Sequence, residues 1–152
     1  MKKTILAIAI ILVSFAGAYA NSNNPVKNPA AKEKAMKSFQ TQFGTIADIN
    51  IYDSEEGFIF KSNTDGKLVT ASFDKKGNWI YSIESFPAHQ LLKDIIDIVN
   101  LDASNGYVTS IQKVTQPTAE PVFIIQTQGV DFIKTLRLSN NQLESVSDYK
   151  KG

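Results

Sequence analysis

The sequence predicts an α+β protein made of two tandem units, each a single helix laid on a four-stranded antiparallel sheet. Three observations carry this expectation. Apolar residues recur at helical spacing before Gly44 and again after Pro87. Each helical stretch is followed by four short runs in which apolar and polar residues alternate, the period of a half-buried strand. The separators within each set fall short of the roughly dozen residues that a parallel crossover needs, so neighbouring strands must run antiparallel. The first round occupies about residues 32–85 and the second about 86–152, after a leader (1–20) and a flexible lead-in (21–31).

The leader reads as a secretion signal. Lys2 and Lys3 open it, residues 5–13 are apolar, and Ala18-Tyr19-Ala20 is a small-residue cleavage site. Residues 5–20 are too few for the roughly 20 apolar positions of a membrane span. The expected product starts at Asn21 and resides in the periplasm or outside the cell, a destination that the short Lys-Lys leader makes bacterial. No membrane insertion is expected after cleavage. With no Cys, the chain has no disulfide and no acylated cysteine. The mature 132 residues carry 14 basic and 15 acidic side chains, which gives no electrostatic footprint for nucleic acid or anionic lipid. A domain of this size buries a core without covalent staples.

Asn28 is suited to cap a helix with Pro29 at its first position. Met36, Phe39 and Phe43 form its apolar stripe and Gly44 its stop. The period then changes to two. Ala47, Ile49 and Ile51 face inward, then Phe58 and Phe60, then Val69, Ala71 and Phe73, then Trp79, Tyr81 and Ile83. Asn63-Thr64-Asp65-Gly66 has strong hairpin chemistry, and Asp74-Lys75-Lys76-Gly77-Asn78 is a second turn. Pro87 opens the second helix, whose apolar face is Ala88, Leu91, Leu92, Ile95, Ile98 and Val99. Strands are expected over residues 107–114, 122–127, 132–138 and 143–147, with a longer first hairpin loop through Pro117 and Pro121.

One helix covers only one face of its sheet. In the first unit the uncovered set is Ile59, Lys61, Leu68, Thr70, Ser72, Ile80 and Ser82. In the second, alternate sets are Val122, Ile124 and Gln126, and Ile133, Thr135 and Arg137. Two readings are open. A half-apolar uncovered face is the material of a protein-binding surface, and Lys61, Thr70, Ser72, Ile80 and Ser82 are its candidate contacts. Alternatively the two sheets join edge to edge, and these residues form one solvated surface. The stripe of Trp79 and Tyr81 is expected beneath the first helix, with Trp79 largely buried; its other reading is an exposed anchor patch.

Catalytic constellations are sparse. Lacking Cys, the chain has no thiol nucleophile or thiolate metal site. The one imidazole, His89, lies in the first turn of the second predicted helix without a nucleophile elbow anywhere in the sequence. Ser147 and Lys150 have a catalytic spacing that needs a helix, but they fall on a terminal strand. Residues 61–72 approximate a calcium loop with Lys61 and Ser72 at positions that demand Asp and Glu. Asp94, Asp97 and Asp102 have the spacing of a solvated helix face. Neither an enzyme, a cofactor nor a metal is expected.

Residues 71–80 (ASFDKKGNWI) followed by 86–95 (FPAHQLLKDI) resemble the PepSY-like secreted proteins of Bacteroidetes-type bacteria, which have a β-lactamase-inhibitory-protein-like (BLIP-like) fold. The shared pattern is a strand, an Asp-x-x-Gly turn, a strand starting near Trp79, and an apolar-Pro helix start, here Phe86-Pro87. Residues 136–143 echo it without the turn Gly. The resemblance spans roughly residues 34–149 and implies tandem helix-plus-four-strand units without an active site. The best-known relatives by fold bind and block a β-lactamase through the open sheet face. The matching positions here are turn and packing positions, so no functional residue carries over. The expected function is non-enzymatic binding of another envelope protein, inhibitor-like in manner, by a monomer. The runner-up is a small-molecule or lipid carrier with an apolar pocket between helix and sheet.

Overall fold

A computed structural model of the chain describes residues 28–46, 48–87, 90, 92–100 and 103–151. The leader, its cleavage site, Ala47, Ala88, His89, Leu91 and Asp102 lie outside these residues. Helix α1 (Pro29–Phe43) starts where its cap predicts: Asn28 Oδ1 accepts a 3.1 Å hydrogen bond from the Ala31 N–H, and Pro29 fills the first turn. It ends where the Gly44 N–H donates to the Gln40 carbonyl. Its buried face is Ala31, Ala35 and Phe39, with Met36 and Phe43 packing partly against the core.

The strands are β1 (Ile49–Asp53), β2 (Gly57–Thr64), β3 (Lys67–Asp74), β4 (Trp79–Phe86), β5 (Tyr107–Gln116), β6 (Ala119–Gln128), β7 (Phe132–Ser139) and β8 (Gln142–Lys150). They form one eight-stranded antiparallel sheet in chain order. The two predicted units are therefore not separate sheets. The sheets join edge to edge: β4 pairs with β5, from Ser82 opposite Thr115 to Phe86 opposite Ile111. The physical reason is that the last strand of one sheet and the first of the next would otherwise present unpaired backbone groups. The expected hairpin chemistry is present. Asp65 and Gly66 have φ of 52° and 81°, and Asn140 and Asn141 have 49° and 59°. Paired left-handed residues twist a two-residue turn to match its strands.

Cross-strand register shows that both helices cover the same face. Phe60 faces Ala71, Ala71 faces Ser82, Phe86 faces Ile111, Ile111 faces Ile125 and Ile125 faces Leu136. Under α1, the Phe39 ring packs at a tilt against Phe60 with ring centres 5.6 Å apart, and Phe60 lies 4.9 Å from Phe73 in the same way. The other helix, α2 (Lys93–Asn100), sets Ile95 and Val99 on Ile111, Ile125, Leu136 and Leu138.

Three sequence expectations change. Helix α2 begins at Lys93, not Pro87, because the chain first turns tightly (Gln90 N–H to Pro87 carbonyl, 2.9 Å) and the helical ladder starts only at the Leu92 carbonyl. The loop expected after Gln116 is a tight turn at Pro117 and Thr118. Pro121 is instead inside β6, where a bulge against Thr115 tolerates a residue without an N–H. In β4, Trp79 faces Phe73 while Tyr81 faces Ser72, so Ile80 is an extra residue. Such a bulge shifts the facing of every later residue in the strand. Trp79 remains on the helix side but only half-buried, whereas Tyr81 and Ile83 leave the core for the opposite face.

The turn before Trp79 docks the sheet on α1. Asp74 Oδ1 accepts from the Lys76 and Asn78 backbone N–H groups, both at 2.8 Å, and Asn78 Nδ2 donates to Oδ2. The hydrogen bonds from Asn78 hold the Asp74 carboxyl below its ordinary range. Gly77, at φ 76°, then passes so close to α1 that a Cβ would lie 2.2 Å from the Ala31 carbonyl oxygen. Gly44 has a similar φ of 81° with nothing near its would-be Cβ. With ψ at −178°, Gly44 holds an extended positive-φ conformation that only glycine adopts readily, so Gly44→Ala should cost only that backbone strain, about 1–3 kcal/mol. Gly77→Ala should cost clearly more in urea titration, because it also pushes α1 off the sheet.

Candidate interaction face

The face opposite the helices is built from cross-strand rows. One row runs Asn50, Lys61, Thr70, Ile83, Val114 and Val122 across β1 to β6. The next runs Asn63, Leu68, Ser85, Gln112, Ile124, Arg137 and Glu144 across β2 to β8. Tyr52, Ile59, Ser72 and Tyr81 form a third, over β1 to β4. At the far corner Tyr107, Gln128, Ile133 and Tyr149 cross β5 to β8. Tyr107 and Tyr149 are 59% and 65% exposed, and Ile133 is 39% exposed. No described helix lies over this side.

Its chemistry is nearly neutral. In these four rows the charged residues are Lys61, Arg137 and Glu144. Arg137 and Glu144 pair with each other at 3.7 Å, and Lys61 sits 5.5 Å from the Tyr52 ring centre. The rest are aliphatic, aromatic, amide and hydroxyl groups. Depletion of charge with retention of Tyr is the compositional mark of an interface centre.

Of the residues expected on this surface, Lys61, Thr70 and Ser72 are on it and adjacent: Lys61 faces Thr70, and Ser72 lies two positions along β3. Ile80 is at the bulge, 39% exposed. Ser82 is not on it. It is 1% exposed and lies on the helix side between Ala71 and Thr115. The bulge at Ile80 is the cause, and it also brings in Tyr81 and Ile83, which alternation alone assigns to the core. The available signal was Phe86, an apolar residue in phase with Ser82 and Glu84 beside the second helix. The wet side of α2 is as expected, with Lys93 hydrogen-bonded to Asp97 at 2.6 Å, which raises the lysine's pKa. Among the described residues no cluster of three metal-ligating side chains occurs, and none of their helices is long and apolar enough to cross a membrane.

Comparison with solved structures shows the fold. A BLIP-like protein of Bacteroides fragilis is 14% identical, with a TM-score of 0.60 over 79% of this chain and 87% of that one. A DUF2874 family protein of Bacteroides ovatus is 12% identical, with a TM-score of 0.55 over 74% of this chain and 86% of the other. A Bacteroides eggerthii protein provisionally placed in the periplasm is 12% identical, with a TM-score of 0.56 over 78% and 87%. No protein-family model matches the sequence, and no curated protein does either. The BLIP-like resemblance seen in the sequence thus holds at the level of fold.

The assignment of faces is open to a paired substitution. Ser82→Arg buries a guanidinium beneath the helix layer and should destabilise by several kcal/mol, on the order of 3 or more. Thr70→Arg, on the uncovered side, should stay within about 0.5 kcal/mol of wild type. Denaturant titration of both variants reads the contrast.

Proposed function

We propose that this is a secreted or periplasmic, non-enzymatic binding protein that receives another envelope protein on its uncovered sheet face. The observation that carries the reading is one-sidedness. Both helices cover one face of an eight-stranded sheet, and the other is broad and charge-poor, with two exposed tyrosines at one corner. Monomeric proteins seldom leave such a surface without a use. Tyrosines supply contact area with few rotatable bonds, which suits them to anchor a partner. Location outside the cytoplasm rests on the leader and on the periplasmic placement of the Bacteroides eggerthii neighbour. An inhibitor-like mode, with an enzyme as the bound partner, is the form of this function that the BLIP-like neighbour suggests. A lipid carrier is less well supported. The helix–sheet interior is filled by Phe39, Phe60 and Phe73, and the recess beside it is floored by charged groups.

The test is retention of a partner from native envelope extract by the immobilised mature protein. Lys61→Glu, Thr70→Arg and Ser72→Arg together should weaken retention at least about tenfold, equivalent to about 1.4 kcal/mol. Lys93→Glu with Asp97→Lys, on the outer side of α2, should leave it unchanged. If the helix pair disrupts binding and the sheet set does not, the partner uses the other side of the molecule.

A further inference from the structure

We propose a second binding site, on the helix side of the sheet: a cleft between the C-terminal end of α1, the β2–β3 turn and Gln90 that takes a short peptide with free termini, its carboxylate held by Lys67 and Lys113. The site is on the opposite side of the sheet from the proposed partner surface and does not depend on it.

The starting point is that the two apolar clusters do not merge. Phe58, Phe60, Val69, Ala71 and Phe73 lie under α1, and Ile111, Ile125, Leu136 and Leu138 under α2. Between them the same face turns polar, with Ser62, Ser82 and Glu84 all buried. An apolar residue in place of Glu84 would join the clusters at no electrostatic cost. A carboxylate there must be compensated for its lost hydration. Glu84 lies 2.5 Å from Lys67 Nζ and 3.6 Å from Lys113 Nζ. Within this group two cations share one carboxylate, a local excess of one positive charge, while the other two acids of the lining, Asp48 and Asp65, come from loops. At 3.6 Å Lys113 is ion-paired to Glu84 without a hydrogen bond to it, and an ammonium has three donors. An incoming carboxylate supplies both the missing charge and the acceptor.

These charges floor a cleft of about 840 Å³, within the roughly 300–1,000 Å³ of small-molecule sites. Phe43, Ile46 and Val69 give it an apolar wall. Gln42 and Gln90 bring neutral amides, and Asp48 and Asp65 bring acids from loops at the edge. The side formed by Gln90 is pinned, because its Nε2 donates to the Asp65 carbonyl at 3.0 Å. A ligand that satisfies every group has a carboxylate, an ammonium, and a partly apolar body bearing amides. A short peptide has all three. A fatty acid leaves the edge acids and amides without partners.

The test is calorimetric titration of the mature protein with the tripeptide Leu-Ala-Leu, its C-terminal amide, and decanoate. The free peptide should bind, and amidation should weaken it at least about tenfold. Lys113→Gln should cause a similar loss, and amidation should add little further in that variant. Thermal melting checks that the variant is folded, and the amidated peptide tests the carboxylate contact on the wild-type protein whatever the variant does. Absence of binding at millimolar free peptide overturns the proposal. So does equal affinity for the amide, or tighter binding of decanoate than of the peptide.

Discussion

Five cross-strand pairs between β4 and β5 determine what the two faces of this protein can do. They join two four-stranded halves into one sheet, and they do so in a register that puts Phe86 beside Ile111 and both helices on one side. Had the two halves packed face to face, each would have covered the other's open side. Edge-to-edge pairing instead removes two strand edges that would template aggregation, and it leaves the uncovered surface as wide as the sheet. Each backbone hydrogen bond in that pairing contributes only about 0.5–1.5 kcal/mol net, yet the arrangement of every side chain beyond it depends on the register.

The same strands serve both faces. Along β4, Ile83 and Ser85 point to the uncovered side, while Ser82, Glu84 and Phe86 point to the helix side. Along β3, Thr70 belongs to the neutral rows and Lys67 to the ion-paired strip between the clusters. Charge is thus sorted by strand alternation. Glu84, Lys67 and Lys113 gather on the helix side, and the rows of the opposite side hold Lys61 and the Arg137–Glu144 pair among Tyr, Ile, Gln and Ser. A partner on one side and a small ligand on the other would press on the same two strands from opposite directions.

Much of this is readable from sequence, because it depends on local chemistry. The cap at Asn28, the left-handed turns at Gly66 and Asn140, and the alternation in β2 and β3 each arise from a few adjacent residues. The choice between a bound face and sheets joined at their edges stays open at that level, since strand pairing over long separation leaves no local mark; the structure shows the joining, which is compatible with binding. The bulge at Ile80 leaves only a faint mark. Three apolar residues run together at Trp79, Ile80 and Tyr81, so either phase fits there and only Phe86 favours the other; the inward phase is carried one residue too far and Ser82 is placed on the wrong side. Pro121 misleads in the other direction, because a proline reads as a loop unless a bulge accommodates it. Lys67, Glu84 and Lys113 are separated along the chain and are brought together only by register.

The account therefore rests on β4 and β5 being interior strands of one sheet, and amide hydrogen exchange read by NMR tests this most directly. If the sheet is continuous, the amides of residues 82–86 and 111–115 should be protected to the same degree as those of β3 and β6, and far more than the edge strand β8. Alternate amides in both segments exchanging as fast as those on the free edge of β8 would mean that the halves are separate sheets, and the single uncovered face would not exist.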